Sequence, residues 1–216
     1  MPTLHFMAST CVVFIHGLWL TGVESTLLRR RIAAELECAT HAFHYPSVTA
    51  SMSDILVRLD EFVAALNAET LHFIGHSLGG IVVLRYLESH SDLPPGRAVL
   101  LGSPIAGSRA AQGLARWPIG AAMLGRNIEA EVLKPQLRRW DGRRDLGVIA
   151  GDLSLGLGRL LSDLGGPNDG TVAVAETELP GAGDRIVLPI SHTGMLFSAA
   201  VAHQAAHFLL NGRFEH

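Results

Sequence analysis

No apolar stretch in the sequence approaches the ~18 consecutive residues of a membrane-spanning helix, although apolar residues make up 48% of the chain. The opening residues 1–10 also lack the basic start and long apolar run of a secretory signal, so the expected location is the cytoplasm. Cysteine is scarce. Cys11 and Cys38 are the only two, too few to staple a chain of 216 residues, and both read as small buried fillers rather than reactive thiols. Charge of one sign is lacking as well: 17 basic side chains face 20 acidic ones, giving a formal charge of −3 with no extended basic run. That balance argues against a nucleic-acid groove or a patch for anionic membranes. No Pro-, Ser- or charge-rich linker and no internal repeat divides the chain, so residues 1–216 are expected to form one soluble domain with a small-molecule partner. The oligomeric state stays open.

What is present is an alternation of short apolar runs with amphipathic stretches. Val12–Ile15, Ala42–Tyr45, Leu71–Ile74, Ala98–Leu101, Asp145–Ala150 and Arg185–Leu188 read as strands. Between them, helices are expected from about Val23 to Glu37, from a cap at Ser53 or Asp54 onward through Ile55, Leu59, Phe62, Val63 and Leu66, and over Leu78–Glu88. Gly194 to Leu210 reads as a closing helix. Strands alternating with helices predict an α/β fold with a mostly parallel sheet of about six strands, covered on both faces. Residues 105–140 carry no strand signal and read as a helical insert, whereas the Gly- and Leu-rich residues 151–167 show no clear period.

The segment Gly75-His76-Ser77-Leu78-Gly79-Gly80 places a hydroxyl between glycines where a buried strand gives way to a helix. That context predicts Ser77 on a sharp, strained turn, with glycine at 75 and 79 so that strand and helix approach closely. A serine hydroxyl needs a base to take its proton and a carboxylate to orient that base. In parallel sheets such groups gather at the carboxyl ends of strands. Among eleven histidines this test selects His192, which comes directly after an apolar strand and just before a helix, the position of a general base; His16 reads as a support for its loop. His41, His44, His72 and His90 read as structural. His203 and His207 are spaced as a metal pair would be, but no carboxylate joins them in the HExxH pattern, so no metal is expected.

For the carboxylate, Asp169 in Asn168-Asp169-Gly170-Thr171-Val172 leads; Asp152, Asp163 and Asp184 compete, and Asp169 as a plain turn residue is the alternative. Backbone donors for a developing oxyanion are expected at the N–H of Leu78, which opens the helix, and of Leu18 in the loop His16-Gly17-Leu18-Trp19. Trp19 is either core or a wall of the acyl pocket, and His76 supports the elbow. The two are taken together as candidate substrate-binding residues.

With Ile15-His16-Gly17-Leu18, the elbow, the Asn168–Val172 turn and Ser191-His192-Thr193-Gly194-Met195-Leu196 all in order, the chain resembles the α/β-hydrolase superfamily, and within it the small bacterial lipases and esterases, over roughly Val12 to Leu210. The resemblance implies Ser77 as nucleophile, Asp169 and His192 as its partners, and the N–H groups of Leu18 and Leu78 as oxyanion hole. The substrate it implies is a small ester or a lipid, with no cofactor. An amidase, thioesterase or acyltransferase would use the same groups, and a non-catalytic binding protein would have lost them. The long interval from Ser77 to Asp169 puts the 105–140 insert in the place of a lid or fixed cap, and its several arginines depart from a purely apolar lid surface. No calcium site maps onto matching positions.

Overall fold

The computed structural model describes residues 9–117, 124–125, 131, 133, 139–155 and 164–216. Most of the insert beyond Trp117 lies outside these residues, as do Asp163 and the segment 156–163. Six strands form one sheet in which every neighbouring pair is parallel: β1 Thr10–Ile15, β2 Ala39–Phe43, β3 Thr70–His76, β4 Ala98–Leu101, β5 Leu146–Gly151 and β6 Asp184–Leu188, ordered β2-β1-β3-β4-β5-β6. The helices are α1 Thr26–Leu36, α2 Met52–Ala64, α3 Leu78–Ser89, α4 Arg109–Ala115 and α5 Ala199–Asn211.

Side chains alternate along each strand, and β1 shows what this does. Cys11, Val13 and Ile15 enter one apolar cluster with Ile55, Leu59 and Val63 of α2 and Val82, Val83 and Tyr86 of α3. Val12 and Phe14 enter the other, with Leu28 and Ile32 of α1 and Val201, Ala205 and Phe208 of α5. The two layers follow from handedness: the step from β1 to β2 runs one way along the sheet and the later steps run the other, so right-handed crossovers must put α1 on the face opposite α2 and α3. Cys11 and Cys38 fall in opposite layers, both as free thiols, and burial pushes both thiols up.

Several boundaries differ from expectation for local reasons. Strand β2 begins earlier and ends at Phe43, because Cys11 to Ile15 template Ala39 to Phe43 one for one; the expected continuation to Tyr45 is instead held by His16. The cap of α2 is Ser51, not Ser53 or Asp54. Its hydroxyl accepts the Asp54 N–H at 3.2 Å while the Asp54 carboxylate reaches back to the Ser51 N–H, a reciprocal box that uses the first hydroxyl available. The expected closing helix is broken at Phe197, with a short 3-10 turn at Gly194–Leu196 and a fresh start at Ser198, which caps α5 through Val201 N–H. Likewise Val23–Ser25 is a 3-10 turn that precedes α1.

Among the described residues, no helix is long and apolar enough to cross a membrane.

Candidate active site

The strand order reverses between β1 and β3, and at such a switch point the loops leaving two neighbouring strands part to open a crevice. Ser77 leaves β3 there and Gly17 leaves β1 beside it, with Ile15 and Gly75 in register. Ser51, Ser108 and Ser198 each open a helix and spend the side chain capping it. Ser77 opens α3 and does not cap it. Its backbone, at φ 55° and ψ −123°, is in a region that L-residues avoid, which turns the hydroxyl away from the helix amides.

The glycines make this turn possible. A β-carbon at Gly75 would lie 2.5 Å from Gly80 Cα, and one at Gly79 would run into the carbonyl oxygen of Ile15. Leu78 occupies the first position of α3, where a backbone N–H has no intrahelical acceptor. On the facing loop, a β-carbon at Gly17 would sit 2.9 Å from Ser77 Cβ. That loop is held from behind. His16 donates from Nδ1 to the Gly17 carbonyl at 2.8 Å and accepts the Tyr45 N–H at Nε2, its ring stacks on Tyr45, and the Tyr45 hydroxyl donates to the His16 carbonyl at 2.7 Å. Burial pushes His16 below the usual histidine value, so the ring stays neutral and keeps this donor–acceptor arrangement. The Trp19 N–H donates to Ser47 Oγ at 3.1 Å, and Trp19 itself takes φ 62° and stands 55% exposed.

Asp169 and His192 meet at the carboxyl ends of the next strands. His192 Nδ1 lies 2.6 Å from Asp169 Oδ2, while Asp169 Oδ1 accepts the N–H groups of Thr171 at 2.9 Å and Val172 at 2.7 Å. Asp169 is 1% exposed, and a buried carboxylate with its lone pairs filled in this way is fixed in orientation. A carboxylate only accepts, so the His192 proton sits on Nδ1 and Nε2 carries the basic lone pair. The backbones are joined too, His192 N–H donating to the Asp169 carbonyl at 2.8 Å. A β-carbon at Gly102, just past β4, would lie 3.0 Å from Asp169 Oδ2 and 3.1 Å from His192 Nδ1, which places the pair directly against the end of β4.

The competing carboxylates stand elsewhere. Asp152 is exposed, and Asp184 opens β6 at the far edge of the sheet, where it accepts Phe214 N–H. His76 is 2% exposed and does not face solvent as a residue touching substrate would: Nε2 donates to the His192 carbonyl at 3.1 Å. That burial sets His76 apart from exposed Trp19, with which it was grouped. His203 is exposed between Glu35 at 3.0 Å and Glu215 at 2.9 Å, and His72 is buried with Nδ1 accepting the Arg97 N–H. Among the described residues no group of three or more His, Cys, Asp or Glu is arranged to hold a metal ion.

Sequence reasoning missed Glu176. Its buried carboxylate accepts Arg109 N–H at 2.6 Å and Ala173 N–H at 2.8 Å, joining the start of α4 to the segment that carries Asp169; burial pushes this carboxyl up. The only local signal is an acid three residues after Ala173, the spacing of a capping box. From that clamp α4 reaches the other side of the site, where Ala111, Leu114 and Ala115 pack with Leu18, Leu78 and Ile81. A second tie is Arg85 of α3, which grips Glu131 of the insert through both carboxylate oxygens at 3.0–3.1 Å.

No curated protein matches the sequence. Solved structures do match in fold. A lipase of Bacillus licheniformis, BlEst2 in its mature form, has a TM-score of 0.64 at 18% identity, covering 91% of this chain and 90% of its own. The Bacillus subtilis carboxylesterase CesB has a TM-score of 0.59 at 13% identity over 94% of this chain and 84% of its own. The metagenomic carboxyl esterase MGS0156 has a TM-score of 0.59 at 20% identity over 86% of this chain and 65% of its own. At such identities the likeness is one of fold. The family assignment rests on sequence: a model described as the alpha/beta hydrolase family matches residues 12–210. The chain therefore belongs to the alpha/beta hydrolase family of hydrolytic enzymes.

Proposed function

We propose that the protein is a serine carboxylic-ester hydrolase working through an acyl-enzyme. The observation that carries this reading is an uncapped serine at φ 55° on a switch-point crevice, with a carboxylate-bound histidine on the adjoining strand ends. Ser77 Oγ attacks the acyl carbon as His192 Nε2 takes its proton, and Asp169 holds the resulting imidazolium by its Nδ1–H. The oxyanion lies against the N–H groups of Leu18 and Leu78, each such donor contributing roughly 3 kcal/mol in comparable hydrolases. His192 then returns the proton to the departing alkoxide. Water, deprotonated by His192, releases the acid and restores Ser77.

The substrate class is read from the surroundings. Trp19 after β1, Trp117 after α4, Leu155 after β5 and Phe197 after His192 are large exposed apolar side chains. With Leu18, Leu78 and α4 forming an apolar cluster at the nucleophile, this favours an ester with an apolar acyl chain. Hydrolysis of p-nitrophenyl esters of increasing chain length by the wild type and Ser77→Ala tests the reading, with the corresponding thioesters and anilides alongside. The expectation is ester turnover that Ser77→Ala abolishes; undiminished turnover in that variant would refute it.

A further inference from the structure

His192 is held at three points. Asp169 takes its ring through Oδ2 and its N–H through the backbone carbonyl, and His76 takes its carbonyl. The third tie differs in origin, because His76 ends the strand that carries Ser77. The His76 ring also packs on the His192 ring, with centroids 4.7 Å apart. On its other side, a β-carbon at Gly17 would lie 3.4 Å from His76 Nδ1 and 3.3 Å from its carbonyl. The side chain thus fills the gap between the loop of Leu18 and the loop of His192.

Its polar atoms are unequal. Nε2 faces a carbonyl and must carry the proton, so Nδ1 presents a lone pair that is buried and, among the described residues, has no hydrogen-bond partner. Such a group works against folding. Burial pushes His76 down to about 3, so the ring remains neutral and its Nε2–H remains a donor wherever His192 can act as a base.

We propose that His76 is a positioning residue: its Nε2–H fixes the backbone of His192 relative to Ser77, and its ring sets the spacing to the Gly17–Leu18 loop. The inference rests on the reading of Ser77 and His192 as nucleophile and base. It acts on the chemical step and not on substrate affinity, because His76 touches the base and lies beneath the crevice.

His76→Gln, His76→Asn and His76→Leu separate the alternatives, because a glutamine amide reaches where Nε2 lies and an asparagine amide does not. For each, kcat and KM on a p-nitrophenyl ester, the rate at which a fluorophosphonate labels Ser77, and the unfolding temperature are measured. Leu and Asn are expected to lower kcat and the labelling rate by about fivefold to tenfold, the equivalent of one lost hydrogen bond, with KM unchanged. Gln restores most of the rate, and the unfolding temperature checks that each variant folds. A Leu variant with wild-type kcat and labelling overturns the inference and leaves the hydrolase reading intact. Equal rates for Gln and Asn do the same, and decide the matter if the Leu variant does not fold. A wild type that the probe fails to label at Ser77 overturns the hydrolase reading, and the role of His76 falls with it.

Discussion

Mild acid should destabilise this protein through two histidines buried in the neutral form. His72 lies in the core beside the guanidinium groups of Arg97 and Arg144, and burial first, then those charges, push it down to about 4. His76 is held down to about 3 by burial and by its neighbour His192. In the unfolded chain each titrates near ~6.5, so between that value and the folded ones only the unfolded chain takes up the protons. Above ~6.5 their burial carries no protonation cost, and the destabilisation grows as the pH falls through that value. At pH 5 both folded values have yet to be reached, and the loss is set by the unfolded pKa alone: about 2 kcal/mol for each histidine relative to pH 7. His16 adds in the same direction. About 4 kcal/mol is a large part of the roughly 5–15 kcal/mol by which domains are stable. Urea denaturation at pH 7 and pH 5 measures it directly. His72→Asn keeps an oxygen where Nδ1 accepts the Arg97 N–H but cannot titrate, so its loss between the two pH values should be about 2 kcal/mol smaller than that of the wild type. Identical pH dependence in wild type and His72→Asn would refute the reasoning.

Three further outcomes are expected. Asp169→Asn presents an N–H₂ or a neutral oxygen to His192 Nδ1 and favours the wrong tautomer, so kcat should fall by roughly 10⁴ with circular dichroism unchanged. Glu176→Gln can accept only one of the N–H groups of Arg109 and Ala173 through its oxygen, costing about 1–3 kcal/mol in chemical denaturation and altering the preferred ester chain length as α4 loosens. Gly79→Ala drives a methyl into the Ile15 carbonyl, and a loss of about 1–3 kcal/mol or more in the same assay should accompany loss of activity as the elbow opens.

The sheet was legible because its buried strands are contiguous apolar runs, and the elbow because its constraints are covalent neighbours: Gly75, Ser77 and Gly79 report a close approach within five residues. His192 is legible from its place after a strand and before a helix, and Asp169 from its loop turn between Ser77 and His192, both questions of order along the chain. Where the reading faltered, the deciding partner was distant. Strand β2 is an edge strand whose limits are dictated by β1, and its Ala39-Thr40-His41 start has little apolar signal. Ser51 was passed over because hydroxyl and carboxylate residues at 51, 53 and 54 all suit a cap, and only the reciprocal bond chooses among them. The placement of His76 depends on His192, and that of Glu176 on Arg109, pairs 116 and 67 residues apart in the chain. No local pattern encodes either.

The β1–β3 ladder aligns Ile15 with Gly75, and so sets where the two sides of the crevice face each other. A slip of one residue along this ladder would shift Gly17 past Ser77 by roughly 3.3 Å and turn every core side chain of β1 to the wrong layer. Parallel pairings of this kind close large loops and form slowly. During refolding, then, helical signal and burial can recover while the crevice is still mismatched, and regained turnover is the clock that marks the moment at which these two strands lock.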